Sequence, residues 1–271
     1  MNTKIYIYGH KPLKYGYWDN GLYCPLEVGA ALHDEQVLKV RDNEGENISD
    51  WNGVYAEVTG LYWIWRQIEG AEGLNNSKGL RAAGAEGMKN LKGLKHIGTC
   101  QYRRRLEFAE DTDFDELFKE YDVIMAKPLR LGQSLARQYG NCHNIEDINF
   151  CGEIVKEMYP EYAADWDRYI NEEGIIYYSS GMIMKKKDFI NYCRWLFPIF
   201  DEFRNRMNFN APEDVEKYVD NNIKLKKHNN ARGLKYQMQI FGFLQERLLT
   251  LYVRHNFKNI KEIQYRKYEG V

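Results

Sequence analysis

The sequence predicts an α/β fold: a sheet flanked by helices, with a ligand site along one rim. Three observations carry that prediction. Lys4-Ile5-Tyr6-Ile7-Tyr8-Gly9 is a β-branched and aromatic run stopped by glycine, which reads as a strand. His96-Ile97-Gly98-Thr99-Cys100 is a short apolar run that opens, after Gln101 and Tyr102, into Arg103-Arg104-Arg105. Apolar residues that stop at a cluster of charge mark a buried strand emerging at the edge of a sheet. Apolar residues also recur at helical spacing, at Val54, Val58, Leu61 and Trp65 and again at Phe189, Cys193, Leu196, Phe197 and Phe200. In such folds ligands bind at the carboxyl-end rim.

Three adjacent guanidiniums repel one another unless an anion sits among them. Arginine suits phosphate because its planar fork donates two parallel hydrogen bonds. The triplet therefore reads either as a phosphate or diphosphate site or as a solvated basic edge.

Composition bounds the partners. The chain has 271 residues, enough for one large core, and its net charge of −1 gives no reason to expect nucleic acid. An anion site must be local. The sequence holds 21 Tyr, 12 Phe and 6 Trp, residues that stack on rings and sugars but also fill half-buried positions. Cys24, Cys100, Cys142, Cys151 and Cys193 are odd in number and form no C-x-x-C pair, which fits a reducing compartment. No signal peptide and no apolar run of roughly 18 residues is present, so a cytoplasmic protein is expected.

In chain order, His10-Lys11-Pro12 follows the first strand, and His10 is either a donor to a nucleotide or a turn residue. Residues 16–30, rich in Gly and Tyr and holding Pro25, read as a loop. Residues 42–49 are turn-rich, and Ser49 or Asn52 can cap the helix that follows. Glu57 lies off that helix's apolar stripe and reads as a dipole partner in its first turns. Residues 70–95 repeat Gly-Ala-Glu-Gly and Lys-Gly-Leu, hold too few large apolar residues for a core of their own, and read as a mobile insertion, either a lid or a passive loop. Asp111, Asp113, Asp115, Asp165 and Asp167 form Asp-x-Asp patterns, but helix capping and solvation explain them better than Mg²⁺ or Mn²⁺.

Residues 121–126 read as a strand and residues through Ile154 to Met158 as a helix. Residues 174–184 look like strand-turn-strand, with Ser180 and Gly181 small enough to let a ligand near the backbone. Residues 188–203 read as a helix. Residues 205–235 are polar, with a helix opened by Pro212. Residues 236–252 are helical, with Phe241, Leu244, Leu248 and Leu251 buried. Glu246, on another face, is either exposed or aimed into a cleft. The basic, aromatic tail at 258–268 reads as a surface tail or as a membrane contact.

Several stretches together resemble a bacterial capsular and exopolysaccharide glycosyltransferase family. They are Gly9-His10-Lys11-Pro12; Asn47-Ile48-Ser49, Asn52, Tyr55 and residues 57–65; Gly98 with Tyr102-Arg103-Arg104; Met182-Ile183-Met184-Lys185-Lys186; Trp195-Leu196-Phe197-Pro198; and Gly242-Phe243-Leu244 with Glu246-Arg247-Leu248. Six such blocks in order span nearly the whole chain. The resemblance implies one GT-A-like domain over residues 1–271, a twisted mixed sheet flanked by helices. It also implies transfer of a galactose-like hexose from a nucleotide-diphosphate sugar to a glycan or lipid-linked glycan, in the cytoplasm or at the inner membrane face. Gln101 departs from the histidine usual before Tyr-Arg-Arg. A non-catalytic nucleotide-sugar or glycan-binding module with a degenerate site is therefore the alternative.

Transfer of this kind builds negative charge on the departing diphosphate. Where an Asp-x-Asp would hold a cation, this chain carries Gln101-Tyr102-Arg103-Arg104, so Arg103 and Arg104 are expected to replace the metal, and no cofactor is expected. On a regular strand only one of the two, with Arg105, would face the phosphate. The resemblance assigns Glu246 as general base; His10, Lys11, Asp42, Asn47, Asn52, Gln101, Tyr102, Ser180 and Gly181 to the donor; and His143 and Asp147 to the acceptor.

Overall fold

The computed structural model describes residues 2–12, 20–73, 91–178, 181–222 and 233–268. The chain runs β1 (Thr3–Gly9), β2 (Tyr23–Glu27), β3 (Val40–Arg41), α1 (Asn52–Tyr55), α2 (Val58–Gly73), β4 (His96–Gln101) and β5 (Arg104–Arg105). It continues through α3 (Phe114–Glu120), β6 (Val123–Ala126), β7 (Leu129–Arg130), α4 (Leu135–Cys142), α5 (Ile145–Met158), α6 (Ala163–Trp166), β8 (Ile175–Ile176) and β9 (Met182–Lys185). It ends with α7 (Lys186–Met207), α8 (Pro212–Asn222), α9 (Gly233–Gln237), α10 (Ile240–Asn256), β10 (Ile260–Ile263) and β11 (Arg266–Lys267).

The main sheet has the order β10-β6-β9-β4-β1-β2-β3, with β5 and β11 branching from the end of β4. Neighbours along that order are parallel except β9, which lies antiparallel between β4 and β6. The sheet is thus mixed and flanked by helices, as expected. Strand alternation sorts the core into two layers. Tyr6, Tyr8, Ile97, Val123, Met125, Met182 and Met184 face the larger layer, packed with α2, α5, α7 and α10. Ile5, Ile7, Cys100, Ile124, Ala126 and Ile183 face a smaller layer closed by Phe114 and Phe118 of α3. Each large apolar side chain buried in these layers contributes about 1.5–3 kcal/mol.

The expected elements need four corrections. Residues 23–27 are a strand, β2, paired in parallel with β1, and not a loop. Pro25 fits there because β3 pairs only with Leu26 and Glu27, so at Pro25 that side of β2 lacks a ladder partner. The helix expected from Ser49 or Asn52 to Trp65 breaks at Ala56, which has φ of +50°. Residues 175–184 form no hairpin: β8 pairs with β7 in a small separate sheet, and β9 joins the main one. Residues 258–268 are not a free tail, because β10 extends the sheet beside β6 and β11 pairs with β5.

Other expectations agree with the structure. Asp113 caps α3, accepting from the Glu116 amide at 3.1 Å. Asp167 is exposed and pairs with Lys156 at 2.7 Å, while Asp165 is half-buried, 2.7 Å from His255 Nδ1. α8 opens at Pro212. Residues 74–90 of the expected insertion, and 223–232 of the polar segment, lie outside the described residues. The five cysteines are free.

Candidate active site

Two adjoining chambers form a cleft where β1 and β4 end. The first, about 730 Å³, is lined by Gly9, His10, Asn52, Tyr102, Arg103, Arg104, Lys267 and Tyr268, among others. The second, about 400 Å³, is lined by Gln138, His143, Phe243, Glu246 and Arg247, among others. Ala56, Glu57, Gln101, Tyr178, Tyr236 and Gln239 belong to both. The first chamber lies at the carboxyl ends of parallel strands, the ordinary ligand position of such sheets.

The arginine triplet turns sharply. β4 ends at Gln101, Tyr102 and Arg103 form the corner, and Arg104 pairs back onto Gln101 in an antiparallel step. The Tyr102 amide donates to the Tyr8 carbonyl at 3.0 Å, tying the corner to β1. This bend brings both Arg103 and Arg104 to the first chamber, where a straight strand would have separated them. Arg104 lies 4.9 Å from the Tyr178 ring, and Arg103 lies 5.1 Å from the Tyr102 ring. Arg105 turns the other way. It is fully buried, donates to the Tyr102 carbonyl at 3.0 Å and stacks 4.2 Å from the Tyr268 ring, so it belongs to the core and not to a phosphate site.

The break between α1 and α2 brings in a carboxylate. Asn52 donates from Nδ2 to the Ala56 carbonyl at 2.7 Å and to Thr59 Oγ1 at 3.0 Å, holding the chain in its bent path. Glu57 then lies on the common wall, where its carboxylate accepts from Gln101 Nε2. Gln101 Oε1 accepts in turn from Arg104 Nη1 at 3.2 Å. An arginine, an amide and a carboxylate thus form one chain of hydrogen bonds across the cleft.

In the second chamber Glu246, with 9% of its surface exposed, contacts Arg247 Nη1 at 3.1 Å. Arg247 also donates to the Phe243 carbonyl at 2.8 Å and to Gln138, which fixes it beneath the wall. The Glu246 charge, followed by burial, pushes the Tyr178 hydroxyl up from its ordinary range. His143 stacks on Phe243 with ring centres 3.8 Å apart and lies 2.9 Å from Gln237 Oε1. His10 meets Tyr102 edge-on at 5.3 Å. Burial, then the charges of Lys11 and Arg103, holds its imidazole below the usual value and so favours the neutral form.

Of the residues expected in the site, the cleft therefore gathers His10, Asn52, Gln101, Tyr102, Arg103, Arg104, His143 and Glu246. Four others serve the fold. Asp42 is 0% exposed and accepts from the amides of Gly29 and Ala30 and from the hydroxyls of Ser49 and Thr59, so it organises the loop after β2 and does not meet a donor. Asn47 accepts from the Ser49 amide at 3.1 Å and donates to the Gly45 carbonyl, forming a turn away from both chambers. At Gly181 a Cβ would stand 2.9 Å from the Ala126 Cβ, so this glycine answers sheet packing and not ligand approach. Asp147 is buried under the Tyr139 and Tyr218 hydroxyls, beside a separate cavity of about 210 Å³, and lines neither chamber. Lys11 is exposed and does not line either chamber; Ser180 lies outside the described residues.

The sequence reading missed Glu57, Tyr178, Tyr236, Gln239, Lys267 and Tyr268. Glu57 carried a signal, its place off the apolar stripe. The others reach the cleft from distant elements and carry none.

Among the described residues, the first chamber is lined by one carboxylate, Glu57, bonded to Gln101, beside the cations Arg103, Arg104 and Lys267; the second adds Glu246. Among the described residues, no group of three or more His, Cys, Asp and Glu side chains suits a metal.

A family model described as a domain of unknown function, DUF4422, matches residues 4–77 and 87–221. These segments include β1, the α1–α2 break and the arginine corner, and stop before α10. Among solved structures, the chain is similar to one described as the apo structure of WbbM, a bifunctional glycosyltransferase, with a TM-score of 0.69 and 21% identity. The similarity covers 100% of this chain and 46% of that one, so this chain spans under half of its length. No curated protein matches. The likeness carries the fold, a GT-A-like mixed sheet flanked by helices.

Proposed function

The chain belongs to the DUF4422 family, and we propose that it is a metal-independent glycosyltransferase. It moves a galactose-like hexose from a nucleotide-diphosphate sugar to a glycan acceptor, in capsular or exopolysaccharide assembly. The observation that carries this reading is the arginine corner: Arg103 and Arg104 both line the chamber at the ends of β1 and β4. The solved glycosyltransferase of like fold supports the same reading.

The chemistry follows from the two chambers. The diphosphate occupies the first, against Arg103, Arg104 and Lys267. The bond from the anomeric carbon to the diphosphate breaks, and its electron pair stays on the diphosphate oxygen. The transition state is oxocarbenium-like, as in glycoside hydrolysis. Preorganised guanidiniums stabilise the growing negative charge, each by about 2.7–4 kcal/mol. The acceptor lies in the second chamber; its hydroxyl oxygen attacks the anomeric carbon, and its proton passes to Glu246. Neutral His10 hydrogen-bonds the nucleotide without adding charge. The reaction is assigned to the cytoplasm, with a lipid-linked acceptor reached at the inner membrane face. No helix among the described residues is long and apolar enough to cross a membrane.

Incubation with a panel of nucleotide sugars and glycan acceptors tests the reading, with released nucleoside diphosphate as the signal. One donor is expected to turn over, at full rate in excess chelator. Tight donor binding without turnover on any acceptor overturns the enzyme reading. Strict Mn²⁺ dependence overturns the role given to the arginines.

A further inference from the structure

A sugar that leaves the first chamber for the second must pass the wall they share. Of the six residues common to both, Ala56, Glu57, Gln101, Tyr178, Tyr236 and Gln239, one is a carboxylate. We propose that Glu57 grips the hydroxyls of the transferred hexose at this junction, with Gln101 as its positioning residue; the proposal rests on the glycosyltransferase reading above.

Two further observations support it independently. The first is backbone strain. Ala56 holds φ of +50°, a conformation costly for a residue with a Cβ, and strain of this kind collects at functional sites. It interrupts an apolar stripe that the sequence would otherwise run as one helix, and it lies immediately before Glu57. Asn52 supports the bend through the Ala56 carbonyl. α10 approaches closely enough that a Cβ on Gly242 would stand 3.1 Å from that of Ala56. The second is the orientation of Gln101. Its oxygen faces Arg104 and its nitrogen faces Glu57, so the amide matches a cation on the donor side and a carboxylate at the junction.

The surroundings suit a sugar. An ionised carboxylate only accepts, and it has about four lone-pair positions, so the bond from Gln101 does not exhaust it. The rings of Tyr178 and Tyr236 on the same wall give apolar faces for the carbon–hydrogen side of a hexose. Glu246 lines the second chamber alone and is held by Arg247, which leaves it to the acceptor. Glu57 thus determines which hydroxyl pattern crosses the junction.

The experiment compares wild type with Glu57→Gln on the matched nucleotide hexose and on each of its monodeoxy analogues. Binding of the bare nucleoside diphosphate is followed by calorimetry. A site built to bond a hydroxyl rejects the analogue lacking it by factors of about 10⁴ or more, so wild type is expected to discriminate strongly at one position. Glu57→Gln is expected to lose most of that discrimination and to bind nucleoside diphosphate as wild type does. Gln101→Leu is expected to lose part of it. A uniform loss on every donor, hydroxylated or deoxy, overturns the proposal, as does an equal loss of nucleoside diphosphate affinity. Should Glu57→Gln fail to fold, Glu57→Asp retains the charge, withdraws it by one methylene and is expected to alter the deoxy pattern; an unchanged pattern overturns the proposal. Failure of wild type to bind either nucleoside diphosphate or nucleotide sugar overturns the underlying reading instead.

Discussion

Gln101 donates its side-chain amide to the Glu57 carboxylate across 44 residues of sequence, joining the end of a strand to the start of a helix. The same amide accepts from Arg104, so one neutral side chain separates a cation from an anion in the middle of the cleft.

Removing that bridge affects rate more than folding. Hydrogen bonds to charged groups contribute about 1.5–3 kcal/mol each, so Gln101→Leu is expected to lower kcat/KM about tenfold to a hundredfold. The side chain is half-buried beside an open cleft, and the cost to stability is expected to be about 1 kcal/mol or less. Steady-state kinetics beside urea unfolding separates the two. A variant that loses stability and retains rate contradicts the role of Gln101.

The three arginines divide by position. Arg103→Ala and Arg104→Ala are expected to reduce turnover about 10²–10³-fold each, with unfolding midpoints near wild type. Arg105→Ala is expected to do the reverse. Its guanidinium stacks on Tyr268 inside the structure, and a desolvated interaction of that kind contributes about 2 kcal/mol or more. Equal kinetic effects at all three positions would count against the geometry of the corner.

Asp147 makes stability depend on pH. Burial, only partly offset by the Tyr218 and Tyr139 hydroxyls, pushes its carboxyl up to about 7 from an ordinary value of 3.8. A raised carboxyl favours the protonated native state. Its contribution is therefore complete below about pH 4 and declines as pH rises towards 7, by on the order of 4 kcal/mol in all. Asp147→Asn is expected to remove this slope and to leave a protein more stable than wild type above pH 7. Denaturant titrations at intervals from pH 5 to pH 8 check the sign; a wild-type slope unchanged in the variant contradicts it.

The bend at Ala56 stores strain. Glycine adopts a positive φ without a Cβ penalty, so Ala56→Gly is expected to gain about 1 kcal/mol of stability. It is also expected to loosen Glu57 and lower kcat. Thermal unfolding and kinetics on one preparation read both effects, and a loss of stability would show that the bend is unstrained.

Much of the fold was legible because its signals are local. The β-branched run at Lys4–Tyr8, the Asp113 cap and the opening of α8 at Pro212 each need only a few neighbouring residues. β2 was not legible, because its proline reads as a breaker until the missing β3 partner at that register is seen. The break at Ala56 was hidden for a related reason: alanine is a good helix former, and the bend is imposed by Asn52 and by the approach of Gly242. In the site, the clustering of Arg103 and Arg104 left an anion locus and a solvated basic edge both open, and it took the corner to bring the two to one chamber. Asp42 and Asp147 could not be told from ligand-binding carboxylates, since a buried acid with hydroxyl and amide donors looks the same in sequence as one that faces a cleft.

The sequence by itself determined the α/β class, the strand that opens into arginine and the apolar faces of the long helices, because periodicity and charge clustering act over a few residues. Tertiary structure alone decided that Arg103 and Arg104 share a chamber while Arg105 is buried, and that Glu57 stands on the wall between two chambers. The physical reason is that each of these depends on a turn or break whose partners lie tens of residues away. Packing and hydrogen bonds between distant elements override the local preference for a straight strand or an unbroken helix.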